Sequence, residues 1–404
     1  MESFLLVRQW YTDYQKPFRL QVYQRLMQTL RLSNPNCIRR RHGPGAMSAV
    51  TSLSIDNTEH NFMISGAADS SINLWNLLSL NSMAEEPLDT LNTIPARHGH
   101  THGITDLHWF PFDNGMFTSS SFDHTIRVWD TQAMEQAYCF QLGDIVYSHA
   151  WSPIASHCLI AAAYNSSSIR LCDMQSGSYT HSLIGHTGRV LAVSWCPARE
   201  YVLASGGTDG TCRLWDVRKA SSSFASLDSQ NMNSPLEHSN RAHNGTINGL
   251  EWTPDAAYLV SSGTDDHIRV WDMDTGQNTL IHFGPTIHNQ RQAFAVHPCV
   301  FQPDSDSKPL ILFPNDDGTI VLLDTLTGTS LSRLSTNFLK RVNSVVYRKG
   351  YEQCLSGDMN GSILLWEPEM YTRPITSIEA EAEDTRNAVK EIYESLKNVP
   401  ITFQ

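Results

Sequence analysis

One short pattern of alternating apolar residues, ending in Trp or a substitute and then a polar residue, recurs seven times in this chain and leaves few folds open. It reads INLWN at Trp75, IRVWD at Trp129, IRLCD at Cys172, CRLWD at Trp215, IRVWD at Trp271, IVLLD at Leu323 and ILLWE at Trp366. The repeats lie about 43 to 56 residues apart, the period of four-stranded sheet units with loops of varied length. About 20 residues before each closing position an opening strand ends, at Ile55, Trp109, Trp151, Trp195, Trp252, Phe301 and Tyr347. The fullest copy, WFPFDNGMFTSSSFDHTIRVWD from Trp109 to Asp130, contains a Pro/Asp/Asn/Gly turn, a small-residue strand Phe117–Ser121, a turn at Phe122–His124 and a strand Ile126–Trp129. One such unit has exposed edges and a bare face, so it needs neighbours. The expected fold is all-β: a seven-bladed β-propeller over residues 42–370, flanked by an N-terminal arm, 1–41, and a C-terminal tail, 371–404.

The repeats also act as controls on one another. Ten residues before each closing Trp stands a serine, Ser65, Ser119, Ser205, Ser261 or Ser356, whereas the units closing with Cys172 and Leu323 have Ala162 and Phe313. Six residues before the closing position comes Asp69, Asp123, Asp209, Asp265 or Asp317, with Ser166 and Asn360 as departures. In several units a Gly/His-rich turn lies further upstream, at His100 or His102, His186 and His243. A buried indole N–H needs an acceptor, so Trp, Ser, Asp and His are expected to form a structural hydrogen-bond relay within each blade. Ser, His and Asp are also the parts of a hydrolase triad, but a set repeated at one phase, without a GxSxG elbow, reads as architecture. Alanine at Asp209 should then weaken folding with no chemistry to lose.

Composition bounds the rest. No apolar run approaches the 18 residues of a membrane span, and the N-terminus lacks the basic and apolar regions of a secretory signal, so a soluble intracellular protein is expected. The eight cysteines show no CxxC spacing and read as reduced thiols, Cys172 being a small hydrophobe in a closing Trp position. His98, His100 and His102 lack a Cys or carboxylate at ligand spacing and read as a blade turn rather than a zinc site. No cofactor is implied. The net charge of −12 argues against general nucleic-acid binding, and the tryptophans fall at strand-end phases, which removes the case for base stacking. Charge is uneven, however: residues 1–41 carry eight Arg/Lys against Glu2 and Asp13.

Within that arm the apolar spacing becomes helical. Phe4, Val7 and Trp10 or Tyr11 share one face; after Lys16-Pro17, Phe18, Val22, Leu26 and Leu30 recur at intervals of four. The spacing predicts a helix–loop–helix over 1–34 that either packs on its own propeller or docks in a partner's groove. Two insertions, 81–97 and 219–241, read as surface loops, either spacers or contact elements. In the tail, Ala382, Val389, Ile392, Tyr393 and Leu396 could line one helix face.

The repeats look like WD repeats. The stretch at 109–130, with VYSHAWSP at 146–153, GHTGRVLAVSWCP at 185–197, LWDVRKAS at 214–221, AHNGTINGL at 242–250 and TDDHIRVWDMDTGQNTL at 264–280, resembles the Cockayne syndrome A family, and the similarity spans about residues 1–370. The resemblance implies a nuclear substrate receptor of a cullin-4 RING ubiquitin ligase acting in transcription-coupled nucleotide excision repair. It implies that the arm inserts between propellers of the adaptor, DNA damage-binding protein 1, with Phe4, Val7, Trp10 and Phe18 as anchors, and that Arg218 of Trp215-Asp216-Val217-Arg218 adds a contact. The opposite face would hold the stalled RNA polymerase II machinery, including the Cockayne syndrome B translocase. On that reading, removing residues 1–34 abolishes adaptor binding and leaves the ring folded. The alternative is a WD scaffold of another nuclear complex without ligase association.

Overall fold

In a computed structural model, the described residues are 27, 29–32, 48–80, 88, 90–154, 157–219, 223–231, 240–291, 294–303, 307–335 and 341–368. They form seven four-stranded antiparallel sheets. In blade two the strands are Ile104–Trp109, Met116–Ser121, Thr125–Asp130 and Glu135–Gln141, in that order from the axis outward. The turns read from the sequence are present. The residue after the expected turn position adopts positive φ in six blades, at Ser70, His124, Gly210, Asp266, Gly318 and Gly361, which lets the second and third strands reverse tightly.

Buried side chains gather into seven apolar clusters, one at each junction between neighbouring blades. The junction of blade seven with blade one, built from Val50, Leu53, Leu355 and Leu365, shuts the ring. Tryptophans at the ends of the opening strands stitch one blade to the one before. Trp109 donates its indole N–H to the Ser54 carbonyl at 3.1 Å, Trp195 to Ala150 at 3.0 Å, Trp252 to Ser194 at 3.2 Å, and Trp151 to Thr118 Oγ1 at 2.8 Å. Each indole thus buries a large apolar area and still satisfies its one donor.

One expectation is corrected. The outermost strand of blade seven is Leu30–Leu32, which pairs antiparallel with Ile363–Pro368 in the register Leu30 to Pro368 and Leu32 to Trp366. Leu30, expected on the second helix, is therefore in a strand; residues 1–26 of the arm lie outside the described residues. Part of the expected arm belongs to the ring: Met27 and Leu30 are buried against Phe301, Leu334, Val342 and Trp366. An unpaired edge beside Trp366 would otherwise stay open to water, and these three residues cover it.

Candidate functional site

In blades two, four and five, serine, aspartate and histidine side chains meet beside the closing Trp. In blade four, Trp215 donates its indole N–H to Ser205 Oγ at 2.7 Å, and Ser205 Oγ lies 2.7 Å from His186 Nε2. His186 Nδ1 lies 3.0 Å from Asp209 Oδ2, which also accepts the Thr187 N–H. Blade two repeats this with Trp129, Ser119, His100 and Asp123, and blade five with Trp271, Ser261, His243 and Asp265. The serines are fully buried and each hydroxyl already accepts an indole N–H, so these sets tie the strands of a blade to the connector before it. In blades one and seven the first link is present, Trp75 to Ser65 at 2.9 Å and Trp366 to Ser356 at 2.8 Å; the connectors upstream of these blades lie largely outside the described residues. His98 and His102 are exposed while His100 is buried in its relay, so the three do not converge.

The relay carboxylates have a pH consequence. Burial favours their neutral form, but the histidine and backbone donors outweigh it and hold Asp123, Asp209 and Asp265 well below the usual carboxylate range. Their contribution is present above the ordinary value near 3.8 and is lost as pH falls below it.

Two departures from the repeat are informative. Blade three closes on Cys172, whose thiol burial pushes up to about 12, in keeping with a packed hydrophobe. Blade six, which has Phe313 and Leu323 where relay blades have Ser and Trp, ties its upstream connector with Asn315 instead. The Asn315 amide donates to the Thr286 carbonyl at 2.9 Å, and its oxygen accepts the His288 N–H at 3.0 Å.

Around the ring axis lies a charged cluster that sequence reasoning missed. Asp106 Oδ2 is 3.1 Å from His108 Nε2, and Asp106 Oδ1 is 3.5 Å from His297 Nε2 and accepts the Ser52 hydroxyl at 3.3 Å. Asp106 thereby touches groups from blades one, two and six. A register shift between Ile104 and Asp106 aims the carboxylate inward. Burial disfavours an ionised Asp106, yet the surrounding imidazoles hold its carboxyl far below the usual range. Burial opposes a charged His108 as well, but Asp106 raises its pKa. Burial pushes His149 down to about 3, and its ring is bound instead to Thr118 Oγ1 at 2.7 Å and Ser120 Oγ at 3.1 Å. Glu251, on the inner strand of blade five, is pushed up to about 7 by burial against the pull of His108. The available signal was charge at inner-strand positions, in ITDLHW and INGLEW, where other blades have small or apolar residues.

Glu251 yields a signed prediction. Its folded pKa lies above the ordinary 4.5, so its ionisation lowers stability as pH rises from there to about 7, with no further change above. Glu251→Gln is expected to stabilise the ring at pH 8 by ~1–2 kcal/mol, discounted for its partial exposure, and to converge on wild type near the ordinary Glu value. Urea midpoints at the two pH values measure this. A variant less stable at pH 8 would overturn it.

Arg218 stands in the turn that follows the closing strand of blade four. Its side chain is 64% exposed, and its guanidinium is held in place on one side. Nε and Nη2 donate to the two Asp216 oxygens at 2.9 and 2.7 Å, and the guanidinium lies over the Tyr201 ring at 4.8 Å. Blades one, two, three, five and six have Leu78, Gln132, Gln175, Asp274 and Leu326 at this position. Because Leu30 pairs with Pro368, the chain enters blade seven at the end of a closing strand, on the same face as Arg218. The proposed anchors Phe4, Val7, Trp10 and Phe18 lie outside the described residues, as do the arginine run 39–41 and the tail from 369 on.

The fold and its relays define a class: this chain is a WD-repeat β-propeller protein. The WD domain, G-beta repeat family matches residues 35–76, 88–130, 177–216 and 235–272. Within that class it is Cockayne syndrome A-like. It is 28% identical over 393 residues to WD repeat-containing protein ATCSA-1 of Arabidopsis thaliana, covering 79% of this chain and 85% of that protein. It is 26% identical over 193 residues to Radiation-sensitive protein 28 of Saccharomyces cerevisiae, covering 43% of this chain and 38% of that one.

Proposed function

We propose that this chain is a non-catalytic substrate receptor of a cullin-4 RING ubiquitin ligase, that it docks on the adaptor DNA damage-binding protein 1, and that it serves transcription-coupled nucleotide excision repair in the nucleus. The observation that carries the docking reading is the shared face. Arg218, pre-set by Asp216 and Tyr201, and the point where the N-terminal arm joins the ring lie on the same side of a closed disc. A rigid cation beside an amphipathic basic arm suits a large partner surface, the arm supplying apolar area and Arg218 fixing orientation. The similarity to ATCSA-1 over most of both chains supports the repair assignment.

The test is copurification of the adaptor with the full chain, with residues 1–26 deleted, and with Arg218→Glu. Deletion should abolish adaptor recovery, and Arg218→Glu should weaken affinity about tenfold, the loss of a charge-assisted contact and its replacement by repulsion. Undiminished recovery by a folded 1–26 deletion would refute the role of the arm. It would favour a WD scaffold of another nuclear complex.

A further inference from the structure

The mouth of the axial channel on the face away from Arg218 departs from the rest of the molecule. The connectors into blades two, four and five carry the relay histidines. The connector into blade six instead places Phe294 and Arg291 at the mouth. Phe294 packs edge-on against Phe122 at 5.9 Å and stays 51% exposed, and Met359 of blade seven, across the same opening, is 49% exposed. With Ile104 and Tyr147 they line a cavity of about 180 Å³, room for one large apolar side chain. Two large exposed apolar groups at one opening mark a contact surface rather than scattered surface hydrophobes.

The charge at the rim selects the occupant. Arg291 and Arg341 share one carboxylate, Asp316, at 2.6 and 3.1 Å. Arg291 also donates to the Pro314 and Val342 carbonyls, whereas Nη1 and Nη2 of Arg341 have no partner among the described residues. Arg189 reaches the Tyr147 hydroxyl at 3.5 Å and makes no ion pair among the described residues. On the acidic side, Asp144 holds the Asn165 amide next to Tyr147. The lining of the apolar cup itself therefore carries two guanidiniums, Arg291 and Arg341, and no carboxylate among the described residues.

Resting on the receptor reading, we infer that this mouth seats a short segment of a client protein, an aromatic or long aliphatic side chain flanked by carboxylates. The apolar side chain enters between Phe122, Phe294 and Met359, and the flanking acids meet Arg341 and Arg189.

Binding of fluorescein-labelled Glu-Asp-Phe-Asp-Glu to the purified full chain, read by anisotropy, tests the inference. Lys-Lys-Phe-Lys-Lys and Glu-Asp-Ala-Asp-Glu serve as controls. The acidic Phe peptide should bind at least tenfold tighter than either, and Phe294→Ala and Arg341→Gln should each weaken it about fivefold or more without changing thermal stability. Equal binding of the lysine peptide, no measurable binding, or indifference to both variants overturns the inference. The measurement uses no adaptor, so its failure leaves the docking reading intact, and a failed copurification leaves this one intact.

Discussion

Deleting residues 1–34 will open blade seven, while deleting 1–26 will leave the ring closed. The longer deletion removes Leu30–Leu32 and with it the pairing to Ile363–Pro368, and it takes Met27 and Leu30 out of a cluster that includes Trp366. Burying each of two such side chains contributes ~1.5–3 kcal/mol, so their joint loss costs ~3–6 kcal/mol before the exposed strand edge is counted. Denaturant midpoints of the two truncations measure the difference. Coincident midpoints would show that the short strand contributes nothing. The result also decides how docking is tested, because a truncation that reaches residue 34 mixes lost binding with a damaged ring.

The second large effect lies in the relays. Ser205→Ala removes one hydroxyl that serves two buried groups, the Trp215 N–H and the His186 ring nitrogen. Each buried group left without a partner costs ~1–3 kcal/mol, so for two a loss of ~2–6 kcal/mol is expected. Ser65→Ala serves as its control. There the Trp75 N–H is the one group bound to the serine hydroxyl among the described residues, so a single donor is orphaned and the loss should stay near ~1–3 kcal/mol. Urea titration of the two variants side by side separates the cases. A larger effect at Ser65 than at Ser205 would falsify the additive reading of the relay.

The relay was legible because seven copies report the same phase, and a residue that changes in concert with its partner reveals the contact. Where Trp gives way to Cys172 or Leu323, the serine gives way to Ala162 or Phe313, and no bond is left unmade. Leu30 was misread for an equally physical reason. It completes a stripe at intervals of four with Phe18, Val22 and Leu26, and it also begins an alternation with Leu32; three residues are too short for periodicity to choose. The strand partner that settles the choice is at the other end of the sequence. The axial cluster escaped because its members come from separate blades, so no local pattern brings Asp106, Glu251 and His297 together. Arg218 was singled out by resemblance; its support from Asp216 and Tyr201 required coordinates.

The pairing of Leu30–Leu32 with Ile363–Pro368 also sets the order in which the protein matures. On the ribosome the first of these strands emerges roughly 330 residues ahead of its mate, so six blades can stack before the seventh has all its parts. Until then the nascent arc presents two sticky flanks, a natural target for chaperones. A message that stops short of Ile363 would yield an unlatched crescent suited to disposal rather than a smaller working disc.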